Sequence, residues 1–252
     1  MPFSDYRITW GGMVTGPSLR GDPGPVFVGV FGIAKPPKPE HPFEVANEVV
    51  CAELGRGLRL PIPVGITAKS DSGVLHYVSF SVSQAGEKLP PANPEAIAQE
   101  CAELACGVIL FDLWIANADR TAGNLAYDED KKSLHLIDHA RALFCGADWR
   151  GRLGTLDDGE LIASNCLTPR IRRVDGFSMW GKRIKELPEY YIRDVLAGSQ
   201  KIGVKKEDAD FCVNFLLQRR KKLLTIVRKH RKKFYSAPTR NASQKDLFGG
   251  AQ

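Results

Sequence analysis

The stretch from Asn93 to His139 constrains the fold more than any other part of the 252-residue chain. Asn93-Pro94-Glu95 is a helix start: a capping side chain, proline at the first helical position, then an acid near the positive helix end. The helix is expected to run to about Ala116. Its later part is apolar nearly all round, which implies a buried central helix. Asp119 to Asn124 then forms a loop. Leu125 to Tyr127 and Leu134 to Ile137 read as short strands, joined by the charged turn Asp128 to Ser133. Asn124 precedes the first strand and Asp138 follows the second. The open ends of an antiparallel hairpin lie roughly 5 Å apart. Asn124 and Asp138 should therefore meet, with Asp119 beside them on the incoming loop.

Two carboxylates and an amide oxygen at one loop-built site suit phosphoryl transfer. Magnesium is a hard cation that takes one or two carboxylates and completes its shell with substrate phosphates. An asparagine oxygen can hold it without adding charge. A separate aspartate is needed to orient an acceptor hydroxyl and take its proton.

Elsewhere the chain divides by composition. Glycine-rich turns punctuate strands over residues 7–35, and Val26 to Ala34 reads as a strand. Pro36-Pro37-Lys38-Pro39 must be loop. A helix is expected from about Pro42 to Gly55, and strands after Leu58–Val64 and over Val74–Val82. Residues 84–94 suit a linker between lobes. Residues 141–252 read as loops and helices, ending in a polar, disordered tail. The expected domains are a strand-rich lobe over 1–83, a helical lobe over 84–235 and a tail over 236–252. The six cysteines lie in no zinc spacing and read as reduced thiols. No apolar run reaches the roughly 18 residues of a membrane helix, and the N-terminus lacks signal-peptide character. A cytoplasmic protein without membrane attachment is the expectation.

The net charge of +6 is local. Residues 219–233 carry nine Lys/Arg and no acid, and the remaining chain holds 26 basic against 29 acidic residues. The segment reads as a C-terminal amphipathic helix with a solvated basic face. Docking of nucleic acid there is the less favoured reading, since no aromatic residues interleave the charges.

The strings N-A-D-R-T-A-G-N and L-H-L-I-D-H resemble the HipA-like kinases, and are similar to the phosphatidylinositol 3-/4-kinase superfamily. Upstream, Asn47-Glu48 within an N-E-x-x-x-x-x-L helix, followed by Leu60-Pro61-Ile62-Pro63, extends the resemblance. It implies an α+β, two-lobed protein-kinase-like fold and a serine/threonine kinase using ATP and Mg2+. By that resemblance Asp119 is catalytic and Asn124 and Asp138 hold the metal. Lys35 contacts the nucleotide phosphates with Glu48 as its partner. Lys35 ends an apolar strand and Glu48 lies in the next helix, so an ion pair between them is expected. Lys38 is the rival lysine. The implied partner is a protein substrate, with a cognate regulator or toxin–antitoxin pairing left open.

The departures are specific. Thr121 stands where these kinases carry histidine, H-R-D and A-P-E are absent, and D-F-G is replaced by Asp138-His139-Ala140. Gly11 to Gly16 is not G-x-G-x-x-G, so it either covers phosphates or is a plain hairpin. Arg120 either contacts phosphate or braces its loop, and His139 reads as an ordinary buried histidine. A nucleotide-binding module without efficient transfer, and a small-molecule or lipid kinase, stand as alternatives.

Overall fold

The computed structural model describes residues 6–7, 32–35, 37–39, 41–80, 92–156 and 158–234. The glycine turn at 11–16, the linker over 84–91 and the tail from 236 lie outside the described residues. The first part is a small sheet backed by one helix. Strands β1 (Tyr6–Arg7), β2 (Gly32–Lys35), β3 (Gly65–Lys69) and β4 (Leu75–Phe80) order as β1-β3-β4-β2. Pairing is antiparallel except between β1 and β3. Opposite Lys35, the register places Tyr77. Helix α1 (Glu44–Gly57) packs against β3 and β4. Every residue from Glu44 to Ala52 is buried, because the helix is covered by the sheet on one side and by the helical part on the other.

Among the described residues the rest is helical apart from one hairpin, β5 (Leu125–Asp128) with β6 (Ser133–Leu136). Helices α2 (Pro94–Glu100) and α3 (Ala102–Trp114) lead into it. Asn93 caps α2, accepting from the Glu95 amide at 3.1 Å. The single helix expected from Asn93 to Ala116 is thus two, broken at Cys101, where φ is −120°. The break is pinned from the hairpin: Glu100 accepts from the Tyr127 hydroxyl and pairs with Lys132 at 2.7 Å. Around α3 lie α4 (Trp149–Gly154), α5 (Asp158–Ser164), α6 (Asp175–Glu186), α7 (Glu189–Gly198), α8 (Lys206–Arg219) and α9 (Leu223–Lys229). The described residues thus divide into a sheet-bearing part and a helical part.

The basic segment is not one helix, as expected from the sequence. It comprises the end of α8, then α9, then a 3-10 turn at Arg231–Lys233. Two of its arginines turn inward. Arg219 is buried and its Nε donates to the Leu113 carbonyl, while Arg220 donates to the Leu187 carbonyl at 2.7 Å. Lys221, Lys222, Lys229, Arg231 and Lys232 are exposed. Among the described residues no helix is long and apolar enough to cross a membrane. All six cysteines are free; three are buried and three half-buried.

Helix α3 can be the centre because α6 approaches it closely at Gly107. A Cβ there would overlap the Trp180 indole. Gly107→Ala should therefore cost about 1–3 kcal/mol by overpacking, read as a lower urea midpoint with an unchanged m-value. An unchanged midpoint would contradict this packing.

Candidate active site

The site starts at the C-terminus of α3. Ala116 adopts a left-handed conformation (φ +54°), and the Asn117 amide reaches back to the Asp112 carbonyl at 2.8 Å. This is the hydrogen bonding of a Schellman stop, with alanine in place of the usual glycine. Two further carbonyls here are held by arginines, Leu113 by Arg219 and Ala116 by Arg152 at 3.1 Å. Cations are favoured at this negative end.

One buried acid then organises the loop. Asp112 accepts from Arg120 Nε and Nη2, each at 3.0 Å, and from the Asn117 and Asn165 amides, each at 2.8 Å. Arg120 is wholly buried. Its Nη1 donates to the carbonyls of Asn124 (2.7 Å) and Ile137 (2.8 Å). Arg120 is therefore a brace, which settles the open alternative. It ties the start of β5 to the end of β6, and the Ile137 amide donates to the Asn124 carbonyl at 3.2 Å across the same gap. Asn124 and Asp138 are thus held at the open end of the hairpin, as the sequence implies.

Asp119 lies on the loop between them and α3, anchored by its amide to Asn117 Oδ1 at 3.3 Å. The Asn124 Nδ2 donates to the Asp119 carbonyl at 2.5 Å. That bond commits the amide nitrogen and leaves Oδ1 for another partner. The Asp119 carboxylate is accessible and faces Arg141 Nε at 3.5 Å. Asp138 takes a left-handed conformation (φ +60°), which aspartate tolerates better than most residues.

Lys35 closes the site from the sheet. Its Nζ lies 2.7 Å from Glu48 Oε1 and 3.2 Å from Asp138 Oδ2. The expected Lys35–Glu48 pair is present, and the bridge to Asp138 adds a link not read from the sequence. Lys38, the rival, instead lies 4.0 Å from Glu44. Glu48 Oε2 accepts from the His139 amide at 3.0 Å. The buried His139 ring stands edge-on to Phe111, centroids 5.9 Å apart, in a packing role. Burial alone would push the Glu48 carboxyl up. Hydrogen bonding from His139 and the charge of Lys35 outweigh it and hold the group at about 2. Burial likewise opposes the Lys35 charge, but Glu48 and Asp138 outweigh it and raise the ammonium above its ordinary value.

The donor set suits magnesium with phosphate. Asp138 supplies a partly exposed carboxylate and Asn124 an uncommitted amide oxygen, both hard ligands. No group of three or more His, Cys, Asp or Glu among the described residues could cage a metal alone. Phosphate oxygens and water would have to complete the shell.

Comparison with known proteins accords with this geometry. Residues 38–150 match the family model of the HipA-like kinases. Over this segment the chain is similar to the HipA-like kinases. The segment contains α1, α3, the hairpin and Glu48, Asp119, Asn124 and Asp138, but not Lys35. The crystal structure of the Helicobacter pylori proinflammatory kinase CtkA is similar in fold, with a TM-score of 0.61. The two share 12% identity, and the match covers 91% of this chain and 98% of that one. No curated protein sequence matches the chain significantly.

The matched segment also holds Asp112 and Arg141, which sequence reasoning missed, and Asn47, whose contacts it did not foresee; Arg152 lies just beyond it. Asp112 left a signal, as the one charged residue between Leu104 and Ala116. The depressed Glu48 value makes a pH prediction. Its contribution to stability is fully present above the unfolded value near 4.5 and is lost as pH falls through about 2. The stability gap between wild type and Glu48→Gln should be widest near neutrality and shrink steadily below pH 4.5. Urea unfolding across that range checks it; a gap independent of pH would show that Glu48 is not held ionised.

Proposed function

We propose that the chain is an ATP- and magnesium-dependent phosphotransferase acting on a serine or threonine hydroxyl of a protein. The observation that carries this reading is the bridge from Lys35 to both Glu48 and Asp138, beside a loop presenting Asp119 and Asn124. Lys35 is poised for the α- and β-phosphates. Glu48 fixes its ammonium from the helix side. Asp138 and the Asn124 Oδ1 would hold the metal. Bound magnesium-ATP supplies the γ-phosphoryl group and neutralises charge developing on it. The Asp119 carboxylate orients the acceptor hydroxyl and accepts its proton, a role that needs the accessibility it has. The HipA-like match over residues 38–150 supports kinase chemistry; the protein acceptor and a cytoplasmic setting rest on the family resemblance. The exposed lysines near α9 are taken as a solvated face that completes the fold.

A second reading, nucleotide binding without efficient transfer, draws on the Arg141 guanidinium 3.5 Å from Asp119. That pairing engages the proposed base. The two readings separate by mutation. Asp119→Asn should lower phosphoryl transfer from labelled ATP by a hundredfold or more, on the order of a general base's contribution, with nucleotide affinity nearly intact. Asp138→Asn should also weaken magnesium-ATP binding, because a ligand charge is lost. Wild-type turnover in both variants would refute the assignment. Tight nucleotide binding by a wild-type protein that transfers nothing, over a broad set of protein acceptors, would favour the second reading.

A further inference from the structure

Asn47, the residue before Glu48, is almost completely buried and takes no part in the chemistry above. Its side chain spans the loop that follows Asp138. The Nδ2 donates to the Ala140 carbonyl at 2.8 Å, and Oδ1 accepts from the Phe144 amide at 2.9 Å. A primary amide offers a donor and an acceptor on one planar group, so it can fasten two backbone points at once. Consecutive residues of α1 therefore grip one loop: Glu48 takes the His139 amide while Asn47 takes Ala140 and Phe144. Arg152 grips it from the other side, donating to the carbonyls of Ala142 (2.8 Å) and Leu143 (3.0 Å). Aromatic packing follows the same path, since Phe43 at the start of α1 meets Phe144 at 5.6 Å between centroids.

In many kinases a phosphorylated residue orders the corresponding loop through new arginine contacts. Residues 138–154 of this chain contain no serine, threonine or tyrosine. The loop is nonetheless held at five backbone positions, 139, 140, 142, 143 and 144, by the side chains of Glu48, Asn47 and Arg152. We infer that Asn47 is a positioning residue: it locks the loop after Asp138 to helix α1, so that Lys35, Glu48 and Asp138 are set in register by contacts that use no hydroxyl side chain of residues 138–154. This rests on the phosphotransferase reading for its consequence, but the lock itself does not.

The alternative is that Asn47 merely satisfies two buried backbone groups and matters only for stability. The test compares Asn47→Ala with Ile184→Val, a core change in α6 remote from the loop. Asn47→Ser, which keeps one hydrogen-bonding group, is read alongside in case the alanine variant does not fold. Affinity for the non-hydrolysable nucleotide AMP-PNP is measured calorimetrically with magnesium and with EDTA, and amide hydrogen exchange is followed over residues 139–144. The magnesium-dependent gain in affinity should fall about tenfold or more in the Asn47 variants, the scale seen when a metal ligand loses its support. Affinity in EDTA should hold, and the His139 and Phe144 amides should exchange faster. Ile184→Val should keep the magnesium gain. Retention of the gain in Asn47→Ala, or an equal loss in Ile184→Val, would overturn the inference. If the wild type shows no magnesium gain, the phosphotransferase reading fails instead. The lock is then judged by exchange at His139, where unchanged protection would overturn it.

Discussion

The buried pair between Arg120 and Asp112 is the interaction on which the rest of the site depends. A guanidinium and a carboxylate in a low-dielectric interior are costly to desolvate, and their attraction compensates only when the remaining donors and acceptors are filled. Here they are filled by groups that must themselves be placed. Arg120 spends its spare donors on the Asn124 and Ile137 carbonyls, and Asp112 its spare lone pairs on Asn117 and Asn165. The pair thus converts an electrostatic requirement into a geometric one. The loop after α3 and both ends of the hairpin can satisfy it in one arrangement, and that arrangement brings Asp119, Asn124 and Asp138 together.

From Asp138 the constraint passes to the sheet. Lys35 sits at the end of β2 and reaches across to Asp138 and Glu48, so the sheet, helix α1 and the hairpin share one charged junction. Two anions around one ammonium leave this junction with a net negative charge. Such a site can exchange part of its internal pairing for contacts with a metal and phosphates. Helix α1 is buried on nearly all faces over Glu44–Ala52, so it transmits position between the two parts as a rigid element. Its adjacent Asn47 and Glu48 hold the loop after Asp138 by backbone groups alone, which explains how residues without hydroxyl chemistry keep an ordered course there.

What could be read from the sequence follows from locality. The hairpin was legible because its strands are short and apolar, its turn is charged, and pairing fixes what stands at the open end. The α1 helix was legible as a helix, although it starts at Glu44 without a side-chain cap and runs past Gly55 to Gly57. The Lys35–Glu48 pair came from family resemblance rather than from spacing, since 13 residues of loop and helix separate them. The break at Cys101 was hidden because nothing local stops the helix; Tyr127 and Lys132, distant in sequence, hold Glu100. The basic segment read as one helix because its periodicity continues through Arg219 and Arg220, whose inward turn serves carbonyls at the ends of other helices. The contacts of Asn47 and Arg152 were invisible for a similar reason: both bind backbone groups roughly 10 to 100 positions away, and such partners leave no pattern in the chain.

Lys35, Asn124 and Asp138 are proposed to form a nucleotide and metal site opposite Asp119. A crystal structure of the chain with magnesium and AMP-PNP tests this proposal most directly. The account predicts the Lys35 ammonium on the α- and β-phosphates, the metal between Asp138 and the Asn124 side-chain oxygen, and the γ-phosphate directed towards Asp119. Phosphates held by Lys38, or a nucleotide bound away from the open end of the hairpin, would contradict it.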